Sequence, residues 1–444
     1  MSRLGEPPRS AAGLDAATPA TTSLTGRSGV TATDLRIGIV GPVPPRRCAV
    51  AEETAWMRDV FTAAGAQVHL AAVTEDDLEL DRPMDAGGGS AVDLRAGMGV
   101  ADALWRSGIA GAERSSLRAM ANTDVVVVHH RPGLHGPDDE AGSPLVRFLQ
   151  RCPAPTALVL HDVPTATDPR GRERLARLVA LADGVIVHSD IARRRVVAAL
   201  DDLGESHRAS AIHVVPRAAV LGAPTTPPRP AGPSILTFGF LDPDKSIEDA
   251  VVAVAELNDL SPPAQYNIVG PTATDVVALE GEHYRSGLRI LAKAMKVDDR
   301  VCIQDGYLPP AALAALIAAA DVIVLPYTSH DVTSSAVLVE SLAAGRPVVA
   351  TAFPHAVELL SDGAGMLVSP GDRGALTSAV RRVLTRPQTA AAMRAQAAAI
   401  GAQFQPDRVT AAYLTALRSL RSTIDLRTNV AESADGTSRE RSSA

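Results

Sequence analysis

Cysteine is scarce. Cys48, Cys152 and Cys302 are the only three in 444 residues, and an odd number so widely separated excludes a disulfide framework and a zinc site. Basic charge is not in surplus either. Lys and Arg number 43 against 50 Asp and Glu, a net charge of -7, so no electrostatic attraction to nucleic acid or to an anionic membrane is expected. No apolar run approaches the roughly 20 residues that span a bilayer, so no transmembrane segment is expected. The stretch before Asp34 has no hydrophobic segment of the signal-peptide kind, and its Ser, Thr, Ala, Gly and Pro read as a disordered tail over residues 1–34. The expected location is the cytoplasm.

What the chain has in quantity is apolar residues, 46% of the total. One core rarely supports a chain this long, so two domains are expected. The most informative stretch is Asp321 to Leu360, DVIVLPYTSHDVTSSAVLVESLAAGRPVVATAFPHAVELL. Two β-branched runs, from Val322 to Leu325 and from Val348 to Ala350, flank a longer apolar segment closed by Gly345 and Pro347. That pattern predicts strand, helix, strand in a covered parallel sheet. Ser334 or Ser335 caps the helix, and the free amides at such a start make an anion site. Glu340 lies inside this helix among Leu338, Val339, Leu342 and Ala343. It either faces solvent or meets a polar partner, because burying a carboxylate alone is costly.

The same logic recurs along the chain. Leu35 to Gly41 is a strand, Ala51 to Ala64 a helix stopped at Gly65, and Gln67 to Val73 a second strand, the first unit of a Rossmann-like half. Residues 74–110, acidic and then Gly-rich, read as an insertion or long loop. Val125 to Val128 is a buried parallel strand that delivers His129 and His130 to its carboxyl end, where a hydrogen-bonded strand cap is the plainer role for one histidine. ALVLH and GVIVHS place His161, Asp162 and Ser189 at two further strand ends, and three polar strand ends in succession predict the wall of a cleft. Ile212 to Val215 closes this half. After a Pro- and Gly-rich linker, Ser234 to Ser246 gives a strand, Gly239, a short acidic loop and Lys245 just before a helix. A lysine there suits a diphosphate, its plainer alternative being a solvated surface side chain. Asp242 and Asp244 read as turn residues, not as a metal-binding pair.

These features together resemble the retaining family-4 glycosyltransferases, and the segment around Glu340 is especially similar to their bacterial mannosyltransferase-like branch. The likeness spans about residues 35–420. It implies an α/β chain with the GT-B fold, two Rossmann-like domains facing each other across a cleft. The boundaries that follow are an acceptor domain at 35–216, a linker at 217–233 and a donor domain at 234–400. A helix at 401–424 crosses back, and 425–444 form a disordered tail. The resemblance assigns Glu340 to the donor ribose, Lys245 to the departing diphosphate and His130 to the donor sugar. Gly239, Arg285, Ser334 and Ser335 complete the donor site. It implies a mechanism without metal or other cofactor, and GDP-mannose as donor; the acceptor, a glycan, a lipid or a small molecule, is not specified.

Five positions depart from the family pattern: Ala49 where a glycine is expected, Arg131, Arg217, Phe240, and Val332 in place of the first glutamate of a pair. They leave two alternatives beside a transferase. One is a non-catalytic paralogue that binds a nucleotide sugar or a protein. The other is a sugar-nucleotide epimerase, which needs acid and base carboxylates for which Glu340, Asp162 and Glu358 are the candidates.

Overall fold

Apolar β-branched runs separated by helical segments build two parallel sheets. The structure, a computed structural model, describes residues 33–422 except 45, 47, 75–91, 94–99, 108, 110, 137–142 and 224–231, with backbone alone at 92, 93 and 100. In chain order the strands are β1 (Arg36–Pro42), β2 (Gln67–Thr74), β3 (Val92–Asp93), β4 (Val100–Ala101), β5 (Ala103–Arg106), β6 (Val125–His130), β7 (Thr156–Leu160), β8 (Gly184–Val187) and β9 (Ile212–Val214). The second half adds β10 (Ser234–Phe238), β11 (Gln265–Val269), β12 (Val301–Gln304), β13 (Val322–Leu325), β14 (Val348–Thr351) and β15 (Gly365–Val368).

The first sheet runs β5-β2-β1-β6-β7-β8-β9 and the second β12-β11-β10-β13-β14-β15. Every neighbour in both is parallel. Both orders are doubly wound, with the reversal point at β1/β6 in one sheet and β10/β13 in the other, where such sheets hold ligands. The strands β6, β7, β8, β10, β13 and β14 are buried along their whole length, which explains their unbroken apolar runs.

The expected long loop at 74–110 holds an edge strand instead. Ala71 to Thr74 of β2 pair in parallel with Ala103 to Arg106 of β5; the segments 75–91 and 94–99 lie outside the described residues. Only Ala103 and Trp105 of its four residues point into the core, too short an alternation to stand out from an irregular neighbourhood.

The chain changes domain abruptly. Val215 belongs to the first domain's core and Ala219 to the second's, so the crossing occupies residues 216–218, at the very start of the expected 217–233 linker, whose residues 224–231 lie outside the described part. The return is equally short: Phe404 packs in the second core, while Val409, Tyr413, Leu414, Leu417 and Leu420, on a last helix over 406–422, pack beneath the first sheet. The two crossings touch where the Ala219 amide donates to the Phe404 carbonyl at 2.8 Å.

Elsewhere the domains meet at a helix start. Ser189 caps the helix Asp190–Asp202 and donates its own hydroxyl to the Thr333 carbonyl at 2.7 Å. The Glu358 carboxylate accepts the Asp190 and Ile191 amides at 3.0 and 2.8 Å, so one domain caps a helix of the other.

Candidate active site between the domains

A cleft of about 560 Å³ separates the carboxyl edges of the two sheets. Its floor is backbone. Gly239 follows β10 at φ +96° and Gly270 follows β11 at φ +138°, and the Gly239 carbonyl fills the space that a side chain at Gly270 would need. Only glycine fits such a close approach of two strand ends. Arg285, assigned by the resemblance to the donor, does not line the cleft. Its side chain is 1% exposed and donates to the carbonyls of Gly270 (2.7 Å) and Gln304 (3.1 Å) and to Glu282 (3.1 Å). It props the glycine floor from behind.

On the second domain's side, Asp242 accepts the Asp244 amide at 2.8 Å, the turn expected of this acidic pair. The turn is tied to the facing loop where the Asp244 carbonyl accepts from the Thr328 amide and hydroxyl, at 2.9 and 3.1 Å. Lys245 closes the turn with its ammonium 5.7 Å from the centre of the Tyr327 ring, which stacks on Phe353. The half-buried lysine is brought down to about 8 by the protein crowded around it, against the pull of Asp242 and Glu52.

Ser335 caps the helix Ala336–Ala343 by accepting the Leu338 amide at 3.3 Å, and its own amide donates to His355 at 3.0 Å. Of the two serines, Ser335 is therefore the cap. Ser334 also lines the cleft, and its hydroxyl has no hydrogen-bond partner. Glu340 lies one turn further along and lines the same cleft; burial pushes its carboxyl up to about 8, with Glu52 adding to the rise and Arg217 opposing it. The structure thus brings Gly239, Lys245, Ser334, Ser335 and Glu340 together around one space.

The first domain contributes Glu52, Glu53 and Trp56 from the helix Ala49–Ala63. Glu53, missed in the sequence, is the hub of a buried polar cluster. Its carboxylate meets the Arg217 guanidinium at 2.7 Å, the Tyr413 hydroxyl at 3.1 Å and the rings of His188 and His161 at 3.5 and 3.8 Å. His129 joins through His161 at 2.9 Å. Burial alone would raise Glu53, but Arg217, the histidines and Tyr413 hold it below the usual carboxylate range. Burial holds His129 at about 4 and lowers His161 and His188, so the rings are neutral at pH 7. The expected wall of polar strand ends is corrected accordingly: His129, His161 and His188 turn inward around Glu53. The donor atoms of Glu53, His161 and His188 lie within 4.8 Å of one another, as metal ligands would, but the cation among them is Arg217. Its other arm donates to the Ala49 carbonyl at 2.9 Å.

His130 does not line the cleft. It is 4% exposed, held at about 4 by burial, and borders a second pocket of about 390 Å³ that shares Ser329, Val332 and Ser334 with the first. Asp162 and Asp331 border that pocket too. The acid–base set required of an epimerase is not assembled, because Glu340, Asp162 and Glu358 stand in the cleft, the second pocket and a helix cap respectively.

Among the described residues no helix is long and apolar enough to cross a membrane. Residues 232–386 match the family described as Glycosyl transferases group 1. The chain is 32% identical over 167 residues to the 2-deoxystreptamine glucosyltransferase of Streptomyces kanamyceticus, covering 36% of this chain and 38% of that protein. It is 32% identical over 173 residues to the glycogen synthase of Mycobacterium tuberculosis, covering 38% of each. It thus spans well under half the length of these relatives. Among solved structures it is similar to sucrose-phosphate synthase from Thermosynechococcus elongatus (TM-score 0.61, 18% identity, 87% of this chain and 100% of that one). It is also similar to Anabaena Alr3699/HepE in complex with UDP-glucose (TM-score 0.61, 16% identity, 88% and 99%). The mannosyltransferase-like branch is not singled out by these neighbours. The chain has the two-domain GT-B fold, and its second domain is similar to the Glycosyl transferases group 1.

Proposed function

We propose that this chain is a glycosyltransferase that moves a hexose from a nucleoside diphosphate sugar to a hydroxyl acceptor. The observation that carries the reading is the convergence of Lys245, the capped helix start at Ser335 and Glu340 on the glycine floor of the interdomain cleft. A diphosphate placed there meets a cation, free helix amides and backbone that approaches without side chains. Glu340, protonated at neutral pH, offers a hydrogen bond to a sugar hydroxyl without adding negative charge beside the phosphates. In the transfer, the acceptor hydroxyl oxygen bonds to the anomeric carbon. The bond from that carbon to the diphosphate oxygen breaks, its electron pair leaves with the diphosphate, and the hydroxyl proton passes to the same leaving group. Stabilising that leaving charge is the largest contribution such a site makes, and Lys245 with the helix start supplies it.

The donor proposed from the sequence is GDP-mannose, whereas one structural neighbour holds UDP-glucose. Calorimetric titration with UDP, GDP and their sugars decides between them. Saturable binding of one nucleotide, weakened about tenfold to a hundredfold by Lys245→Ala, is expected from the loss of a charged hydrogen bond of roughly 1.5–3 kcal/mol. Absence of binding by every nucleotide would overturn the proposal and favour a non-catalytic paralogue.

A further inference from the structure

The wall that faces Lys245 across the cleft offers a ligand few polar groups. Of the first domain's charged side chains there, Glu53 and Arg217 are already joined to each other within the buried cluster. His130, to which the resemblance assigns the donor sugar, does not line the cleft, and Val332, which does, brings no polar atom. Glu52 remains. It stands in the first turn of the helix Ala49–Ala63, one position before Glu53. Successive helix residues point about 100° apart, so Glu53 is buried while Glu52 opens on the cleft.

The Glu52 carboxyl is raised by the protein crowded around it, and the charges of Arg217 and Lys245 oppose that rise. No hydrogen bond from the described residues engages its oxygens. The two cations favour the ionised form, which accepts hydrogen bonds and donates none. Glu52 is also near enough to Lys245 and Glu340 for its charge to act on both, so it stands across the cleft from the groups that hold the nucleotide. A sugar esterified to a diphosphate lies directly beside the phosphates. With the phosphates at Lys245 and the start of the helix Ala336–Ala343, the hexose stands between them and Glu52. Hydroxyls on that ring supply the donors that the carboxylate lacks, whereas a ring with its own carboxylate meets a like charge.

We propose that Glu52 reads the sugar being transferred: its carboxylate accepts hydroxyls of a neutral hexose and turns away sugars that carry an acid. The selecting group thus comes from the domain opposite the nucleotide. The inference rests on the transferase reading of this cleft.

The probes are UDP, GDP, UDP-glucose, GDP-mannose and the matching uronates, UDP-glucuronate and GDP-mannuronate, titrated calorimetrically into the full chain and into Glu52→Ala and Glu52→Gln. The parent chain is expected to bind the hexose form of its nucleotide about tenfold more tightly than the uronate. Glu52→Ala should weaken the hexose form about tenfold, as the loss of a hydrogen bond to a charged group does. The bare nucleoside diphosphate should bind that variant as tightly as before or more so, because a negative charge facing the phosphates is gone. Glu52→Gln should narrow the gap between hexose and uronate. A purely structural role for Glu52 would move bare and sugar-bearing nucleotides together; that result, or a parent chain indifferent to the uronate, overturns the assignment. Absence of binding by every nucleotide in the parent chain instead sinks the transferase reading on which the assignment stands.

Discussion

Lys245 and Glu340 face one cleft with opposite responses to crowding: the ammonium is brought down to about 8 and the carboxyl up to about 8. As pH climbs through that value the cleft loses a positive charge and gains a negative one, beside Glu52, whose carboxyl burial also raises. Donor affinity should therefore be highest near and below neutrality and weaken above pH 8, which titrations on either side of that pH would show; a flat profile would remove both groups from the site. Glu53 makes a different prediction. Glu53→Gln strips the charge from Arg217's partner in a buried cluster, and breaking such a pair costs about 3–5 kcal/mol, measurable by urea unfolding. Lys245 and Glu340 were legible because each stands at a fixed place beside a strand end or helix start. Glu53 was not: one of two adjacent acids on an amphipathic helix, it gave no sign that Arg217, 164 positions on, would meet it.

Among the elements, the strands were the most legible, since a strand covered on both faces is apolar throughout. Val125 to Val128 and Val322 to Leu325 showed it plainly, while β5 was hidden by its length. What the strand ends do was harder to read. Consecutive residues of a strand point to opposite faces, so His129 turns into the Glu53 cluster while His130 reaches the second pocket, and no local pattern tells which neighbour will matter. The helix Asp190–Asp202 is capped by its own Ser189 and, at the Asp190 and Ile191 amides, by Glu358 of the other domain. Glu358→Ala leaves two amides there without their acceptor, and a loss of about 1 kcal/mol in stability is expected, within the range of about 0.5–2 for caps. A melting temperature equal to that of the parent chain would show that solvent replaces the carboxylate at no cost.

The molecule as a whole is held together by its last helix. Tyr413, Leu414 and Leu417 are fully buried against the first domain's sheet, and Tyr413 also closes the polar cluster on Glu53. A chain ending at residue 404 would expose that apolar face and, by the usual cost of losing buried side chains of about 2–5 kcal/mol each, should leave the first domain unfolded while the second keeps its structure. Two separate melting transitions, or proteolysis confined to residues 33–216, would report it.

The hydrogen bond between Ala219 and Phe404 has a mechanical meaning. A single tether lets one body swing in every direction about another. Here the outgoing and returning segments are pinned to each other, so the domains share one pivot, and relative motion reduces to rotation about it. Glu358 of the second domain accepts the Asp190 and Ile191 amides of the first, contacts that any such rotation strains. Any opening of the halves would run along that one spine, as a book's does, and closing it would bring Lys245 and Glu52, which line the cleft from the two domains, back to one alignment.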